Sequence, residues 1–288
     1  MSATADTPTP AAPVELTTWQ KLLRQKRFVF GAITTLLVTL LAIFGPFFAP
    51  YGENEVVGPP YSPLGVFGTD YLGQDVLSRV MYGGLQVLVI AVLGTIISTV
   101  FGSLIGVIAA YAGGWWDELI MRLNDVLLAF PQILLALVLL TAVEQPQSWM
   151  IVALVGISNA PRTARIARGV ALGLVSRDFV HAAEALGEKR SRVIVAEVLP
   201  NMNAPLLAEA GLRLTFSISL VAALGFLGFV TDPGAANWGQ MIKENRLGLA
   251  TQSWAVLAPV LVIGIFTIAT NMMADGIAQV SQKGGSDQ

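Results

Sequence analysis

Long runs without a single charge constrain this chain more than any other feature of its sequence. Phe28–Ala49, Leu85–Ala112 and Leu247–Ala274 contain no Asp, Glu, Lys or Arg. Leu119–Val143 is apolar apart from Arg122 and Asp125, and Pro205–Val230 apart from Glu209 and Arg213. Ser148–Leu174 begins apolar and then acquires Arg162, Arg165 and Arg168. A helix needs about 20 apolar residues to cross the hydrocarbon core of a bilayer, and five of these runs meet that length. The run from Ser148 stays uncharged only to Pro161. It counts as a span because an even number puts both chain ends on one side, as the charges require. The expectation is an all-α integral membrane protein with six spans, near 28–49, 85–112, 119–143, 148–174, 205–230 and 247–274.

Composition agrees. The chain is 54% hydrophobic and 12% charged, about half the roughly 25% charged content of a soluble domain. A net charge of −2 excludes a general nucleic-acid binder, which carries a basic excess. Cysteine is absent, so disulfides, iron–sulfur clusters and thiol nucleophiles are excluded. The first run exceeds the 7–15 residues of a signal-peptide core and lacks an A-x-A site, so it is expected to stay attached. Residues 1–20, rich in Thr, Pro and Ala, read as a disordered tail, and 281–288 as a short second tail flanking a transmembrane domain over 21–280.

Orientation follows from Lys and Arg. With the N-terminus inside, the cytoplasmic ends hold Lys21, Arg24, Lys26, Arg27, Arg122, Arg162, Arg165, Arg168, Arg177, Lys189, Arg190, Arg192 and Lys283. The outer loops hold only Arg79, Lys243 and Arg246. Both termini are therefore expected in the cytoplasm. The Arg162, Arg165, Arg168 row reads as an anchor at the inner surface. Arg122 with Asp125 and Glu209 with Arg213, at helical spacing, read as pairs that neutralise themselves along one helix near its cytoplasmic end.

Three polar segments are too long to be turns. In the outer loop Tyr51–Gly84, Val76, Leu77, Val80 and Met81 recur at helical spacing after Gly73. They read either as an amphipathic helix on the membrane surface or as a capped linker helix without a partner. The outer loop Thr231–Ser253 carries Trp238-Gly239, either an interfacial anchor or a docking element. The cytoplasmic segment 176–203 holds a short Ala-rich helix, with Asp178 as its expected N-cap and Glu188 placed to pair with Arg192. Ala183 and Gly187, four apart, would give a face small enough for another protein to approach, with Val180 and Leu186 as apolar anchors beside it. So short a helix is marginal alone in water. Either the chain's own helix ends or a partner must hold it.

Catalytic signatures are missing. There is no G-x-x-x-x-G-K-[ST] phosphate loop and no G-x-S-x-G elbow. The single histidine, His181, cannot build a zinc site or a triad. A non-enzymatic transport role without a bound cofactor is expected.

The cytoplasmic segment also carries a resemblance. His181-Ala182-Ala183, three residues, Gly187, nine residues and then Glu197-Val198-Leu199-Pro200 resembles the E-A-A loop of ABC importer permeases. Gly68-Thr69-Asp70, Gly73, Asp75–Arg79, Met121-Arg122, Asp125–Pro131, Phe226-Leu227-Gly228 and Trp238-Gly239 look like the dipeptide and oligopeptide branch of the DppC/OppC type. The likeness runs from about Lys21 to Ala278. His181 stands where that family usually has Glu, Gln74 where it has Arg, and Asn237 where it has Ser. The resemblance implies a type I ABC importer permease fold in a bacterial inner membrane. It implies a homologous second permease, two cytoplasmic ATPases that bind ATP and Mg, and an extracytoplasmic binding protein. Val180, His181, Ala182, Ala183, Glu184, Leu186, Gly187 and Arg190 would couple to the ATPases. Asp70, Asp75, Arg79, Trp238 and Gly239 would receive the binding protein or close the path outside. The solute would be a peptide, nickel chelate, glutathione or oligosaccharide. A secondary transporter or a channel subunit is the alternative, though neither inverted repeats nor a selectivity filter stands out.

Overall fold

The computed structural model describes residues 18–143, 146–230, 232 and 234–285. Of the two expected tails, 1–17 and 286–288 lie outside the described residues. The helices, in chain order, are α1 Thr18–Leu23, α2 Lys26–Phe48, α3 Val76–Tyr82, α4 Gly84–Ala112, α5 Gly114–Ala129, α6 Gln132–Thr141, α7 Ser148–Val175, α8 Asp178–Ala185, α9 Arg190–Arg192, α10 Leu199–Asn201, α11 Asn203–Leu227, α12 Trp238–Asn245 and α13 Trp254–Gly285. A π-helical stretch, Val193–Val198, joins α9 to α10. Among the described residues there is no strand, only two isolated bridges in the loop after α2.

Four stretches are long and apolar enough to cross a membrane: Lys26–Phe48, Val76–Ala112, Asn203–Leu227 and Trp254–Val280. The expected straight span over 119–143 is instead broken. α5 and α6 meet at 78° because Pro131 has no N–H to donate and drives Phe130 into extended backbone (φ −85°, ψ 128°). Counting that bent pair as one span gives five. The remaining expected span, the fourth, is α7; it is 28 residues long but carries Arg162, Arg165 and Arg168, so length and composition alone do not reach six.

α4 and α7 form the most extensive helix pair, and small residues permit it. A methyl added at Gly106 would stand 2.3 Å from the Ala164 carbonyl oxygen, and one at Gly102 2.6 Å from that of Ala160. Gly102 and Gly106 form a G-x-x-x-G step, the membrane device for close backbone approach. α11 and α2 both pack on α13, and α11 also on α4. The main core gathers Val76, Val80, Val87, Ile218, Leu224, Trp238, Met241 and Phe266. A second cluster, at the opposite end of α4, joins Val107, Ala110, Ala167, Ala171, Val180, Val193, Val198 and Met202. Phe30, Leu36, Leu37, Phe44, Phe47 and Phe48 of α2 are exposed, an apolar belt that suits lipid or a second membrane subunit rather than water.

α3 is packed into the chain instead of lying exposed on its outside. Val76, Ser78, Arg79 and Val80 are buried, and only Gly83 separates α3 from α4. Neither reading of an amphipathic or partner-free helix fits a segment buried within the chain's own core.

Candidate functional site

Two ends of the bundle and its middle concentrate the polar groups. At the end of the bundle that holds α3 and α12, the end expected outside, the chain locks its own loops together. Asp75 caps α3 by accepting from the Ser78 backbone N–H and hydroxyl, both at 2.8 Å. Asp70 Oδ1 accepts from the backbone N–H groups of Leu72 and Gln74, each at 2.9 Å. Arg79 donates to Asp70 Oδ2 at 2.6 Å and reaches Glu244 of α12 at 3.2 Å. Breaking such a buried pair by removing one partner typically costs about 3–5 kcal/mol, because the other charge is stranded. Trp238 Nε1 donates to the Val80 carbonyl at 2.8 Å, pinning α12 to α3. Asn237 caps α12 by accepting from Gly239 N–H at 3.0 Å. A methyl added to Gly239 would stand 2.2 Å from the Ala222 carbonyl oxygen, so α12 lies close on α11.

Asp70, Asp75, Arg79, Trp238 and Gly239 are therefore all brought together, and all are buried. Asp70 pairs with Arg79, Asp75 caps α3 and Trp238 pins α12 to α3, so each side chain is engaged within this chain. Together they clamp the loop after α2 and α3 to α12.

At the other end, α8 starts at Asp178, with Arg177 as its N-cap and no side-chain cap bond. The expected Asp178 cap is thus displaced by one residue, and Asp178 sits in the first turn, where a negative charge suits the helix dipole. Val180 is fully buried in the second cluster. It anchors α8 to this chain's own α4, α7 and π-helical stretch, leaving no surface for a partner. The Tyr111 hydroxyl at the end of α4 donates to Glu184 Oε1. That bond, with His181 and Arg190 nearby, holds the Glu184 carboxyl below the usual range. The outer face of α8 stays open: His181, Ala182 and Leu186 are exposed, Leu186 by 84%. Glu188 meets Arg192 at 3.2 Å, as its spacing predicts.

Gly187 does not share a helical face with Ala183. The helix ends at Ala185, and Gly187 has φ +79°. Its N–H donates to the Glu184 carbonyl at 2.9 Å, and the Glu188 N–H donates to that of Ala183 at 3.2 Å. This pair of bonds is the Schellman motif, which calls for a left-handed residue that only glycine adopts readily. A methyl at Gly187 would meet nothing within 4 Å. The glycine of the motif is required by its own backbone.

Along α5, α7 and α11, the ion pairs differ from the expected ones. Arg122 pairs with Glu118 at 2.7 Å, one turn back on the same helix, and Asp125 pairs across to Arg165 at 2.6 Å. Arg168 forks onto both oxygens of Asp117 at 2.5 Å. Two members of the expected anchor row thus tie α7 to α5. Glu209 and Arg213 do pair, at 2.7 Å, but with both side chains nearly buried in the bundle instead of snorkelling to an end. A polar seam lies beside them: Gln132 donates to the Ser158 carbonyl at 2.8 Å, and Asn159 and Thr95 both donate to Ser217. Sequence reasoning missed Tyr111, Asp117 and the Gly102–Gly106 step. The last was legible as spacing, whereas Tyr111 and Asp117 meet partners far along the chain.

Comparison with known proteins fits this geometry. Residues 102–284 match the family model of binding-protein-dependent transport system inner membrane components. Residues 17–63 match the N-terminal transmembrane domain of oligopeptide transport permease C. The chain is 36% identical over 268 residues to a dipeptide transport system permease protein DppC of Alkalihalophilus pseudofirmus, covering 90% of this chain and 86% of that protein. It is 34% identical to a di/tripeptide permease protein of Pseudomonas aeruginosa (90% and 88% covered). It is equally 34% identical to the glutathione permease protein GsiD of Shigella dysenteriae (90% and 87%). Among solved structures, the MetNI methionine ABC transporter superposes with a TM-score of 0.52 at 14% identity, over 69% of this chain and 96% of that one, which speaks for the fold alone. With that fold, and with both family models matching along the chain, it belongs to the binding-protein-dependent transport system inner membrane components, in the DppC/OppC-type permease branch.

Proposed function

We propose that this chain forms one half of the translocation path of an ABC importer for short peptides or a closely related solute. Separate ATPases would drive it through α8, with both termini in the cytoplasm. The observation that carries this reading is α8 itself. It is a short helix held from behind by Val180 and by Tyr111–Glu184, with an open outer face, in a chain that has no nucleotide loop. A chain lacking its own ATP site must receive energy from another, and a rigid helix seated on the ends of α4 and α7 is where such motion enters. The solute class rests on the relatives, whose names speak of dipeptides, di- and tripeptides and glutathione. The second permease, two ATPases and an extracytoplasmic binding protein are the partners this reading requires. The outer clamp would shape the surface the binding protein meets without touching it through its buried side chains.

Reconstitution tests it. The chain, its partner permease and the ATPases go into proteoliposomes, and uptake of labelled dialanine is followed with the binding protein outside. ATP-dependent uptake that vanishes without binding protein is expected. Uptake driven by an ion gradient without ATP would instead establish a secondary transporter.

A further inference from the structure

We propose that Arg162, Arg165 and Arg213 form a subsite on the translocation path that takes a carboxylate of the solute in transit. The inference deepens the permease reading and rests on it. The three guanidinium groups line one cleft of about 440 Å3, together with Leu128 and Ile166. Two of these cations have anionic neighbours: Arg165 has Asp125 at 2.6 Å, and Arg213 has Glu209 at 2.7 Å. Arg162 has no ion-pair partner among the described residues. The cleft therefore carries one positive charge in excess. Arg213 is built in: its side chain is 7% exposed, and its Nη1 has no hydrogen-bond partner. A carboxylate entering the cleft would neutralise the excess and accept from planar N–H forks suited to it.

Depth argues for a solute over a lipid headgroup. At about 1.5 Å per residue, Arg162 and Arg213 each lie about 21 Å from the Ser148 and Leu227 ends of their helices. They lie about 15–20 Å from the opposite ends, so the cleft sits well inside both helices and not at a helix end. The break between α5 and α6 stands just beyond Leu128, with Phe130 and Pro131 exposed in this chain. Irregular backbone between two apolar helices of a membrane bundle occurs where it is buried in protein or lines a watery cavity, and a solute path is such a cavity.

The test uses the complete reconstituted transporter, with dialanine and its C-terminal amide as probes, each at a concentration that saturates the binding protein. Arg162 is exposed, so Arg162→Gln should reach the membrane and co-purify with the ATPases. Its dialanine uptake is expected to fall about tenfold while amide uptake keeps its unmodified level, and Arg162→Lys should restore part of the loss. Equal effects on both probes, or none on either, overturn the subsite. A defect that appears only in phosphatidylglycerol vesicles and not in phosphatidylcholine assigns the cations to a lipid phosphate and overturns it too. Absence of dialanine uptake by the unmodified transporter overturns the peptide reading first, and the subsite with it.

Discussion

Replacing Gly187 separates two physical reasons for a glycine in the loop after α8. If close contact with an ATPase requires it, harm should grow with side-chain size. If the left-handed backbone requires it, any L-residue with a Cβ should harm about equally, and asparagine least. The structure favours the second: φ is +79° and a methyl would meet open space. Holding an ordinary L-residue in that region costs about 1–2 kcal/mol, a factor of about 5–30 in the equilibrium between capped and frayed helix. An eight-residue helix cannot absorb that through its own propagation. Val180 must keep it attached while its last turn opens. The assay is hydrogen exchange at the amides of Leu186, Gly187 and Glu188, which make the cap, together with retention of the ATPases on purification. Gly187→Ala and Gly187→Leu should each speed exchange by about 5–30-fold and loosen the ATPases alike, with Gly187→Asn in between. If Gly187→Leu alone loses the ATPases while Gly187→Ala exchanges and assembles normally, contact with a partner governs the position and the backbone account is refuted.

Trp238→Ala removes a fully buried indole and its bond to Val80. It should cost about 3–5 kcal/mol and lower the melting temperature of the solubilised protein, whereas an unchanged melt would mean the outer clamp is not built on it. Tyr111→Phe should let the Glu184 carboxyl rise toward its ordinary value, read by NMR titration of that side chain, and an unmoved titration would sink the tie. Because the native carboxyl is depressed, what the bond contributes to seating α8 is present in full above the ordinary Glu range. It is lost only as pH falls through the depressed value. Cysteines at exposed Asn54 and Ser191 should differ, the first labelled by impermeant thiol reagents in intact cells and the second protected. Labelling of Ser191 from outside would invert the proposed topology.

The uncharged runs, the Lys and Arg bias and the spacing of the cytoplasmic motif were enough to establish a helical membrane permease. Such signals are local: burying a run of apolar residues in a bilayer depends on composition and length, and neither needs a partner distant in sequence. Pro131 was visible too, yet a 78° break follows only where a neighbouring surface accepts the turned helix. Tertiary structure alone decided who meets whom. Asp125 could have taken Arg122, three residues away, and takes Arg165 from another helix instead. Val180 could have faced a partner and turns inward, while Asp70, Arg79 and Trp238, read as receiving a binding protein or closing the path, are buried in this chain's own packing. A charged or apolar side chain goes where the packed helices leave it the least desolvation for the most contact. That balance is set by backbones brought together from far along the chain, as Gly106 is against Ala164.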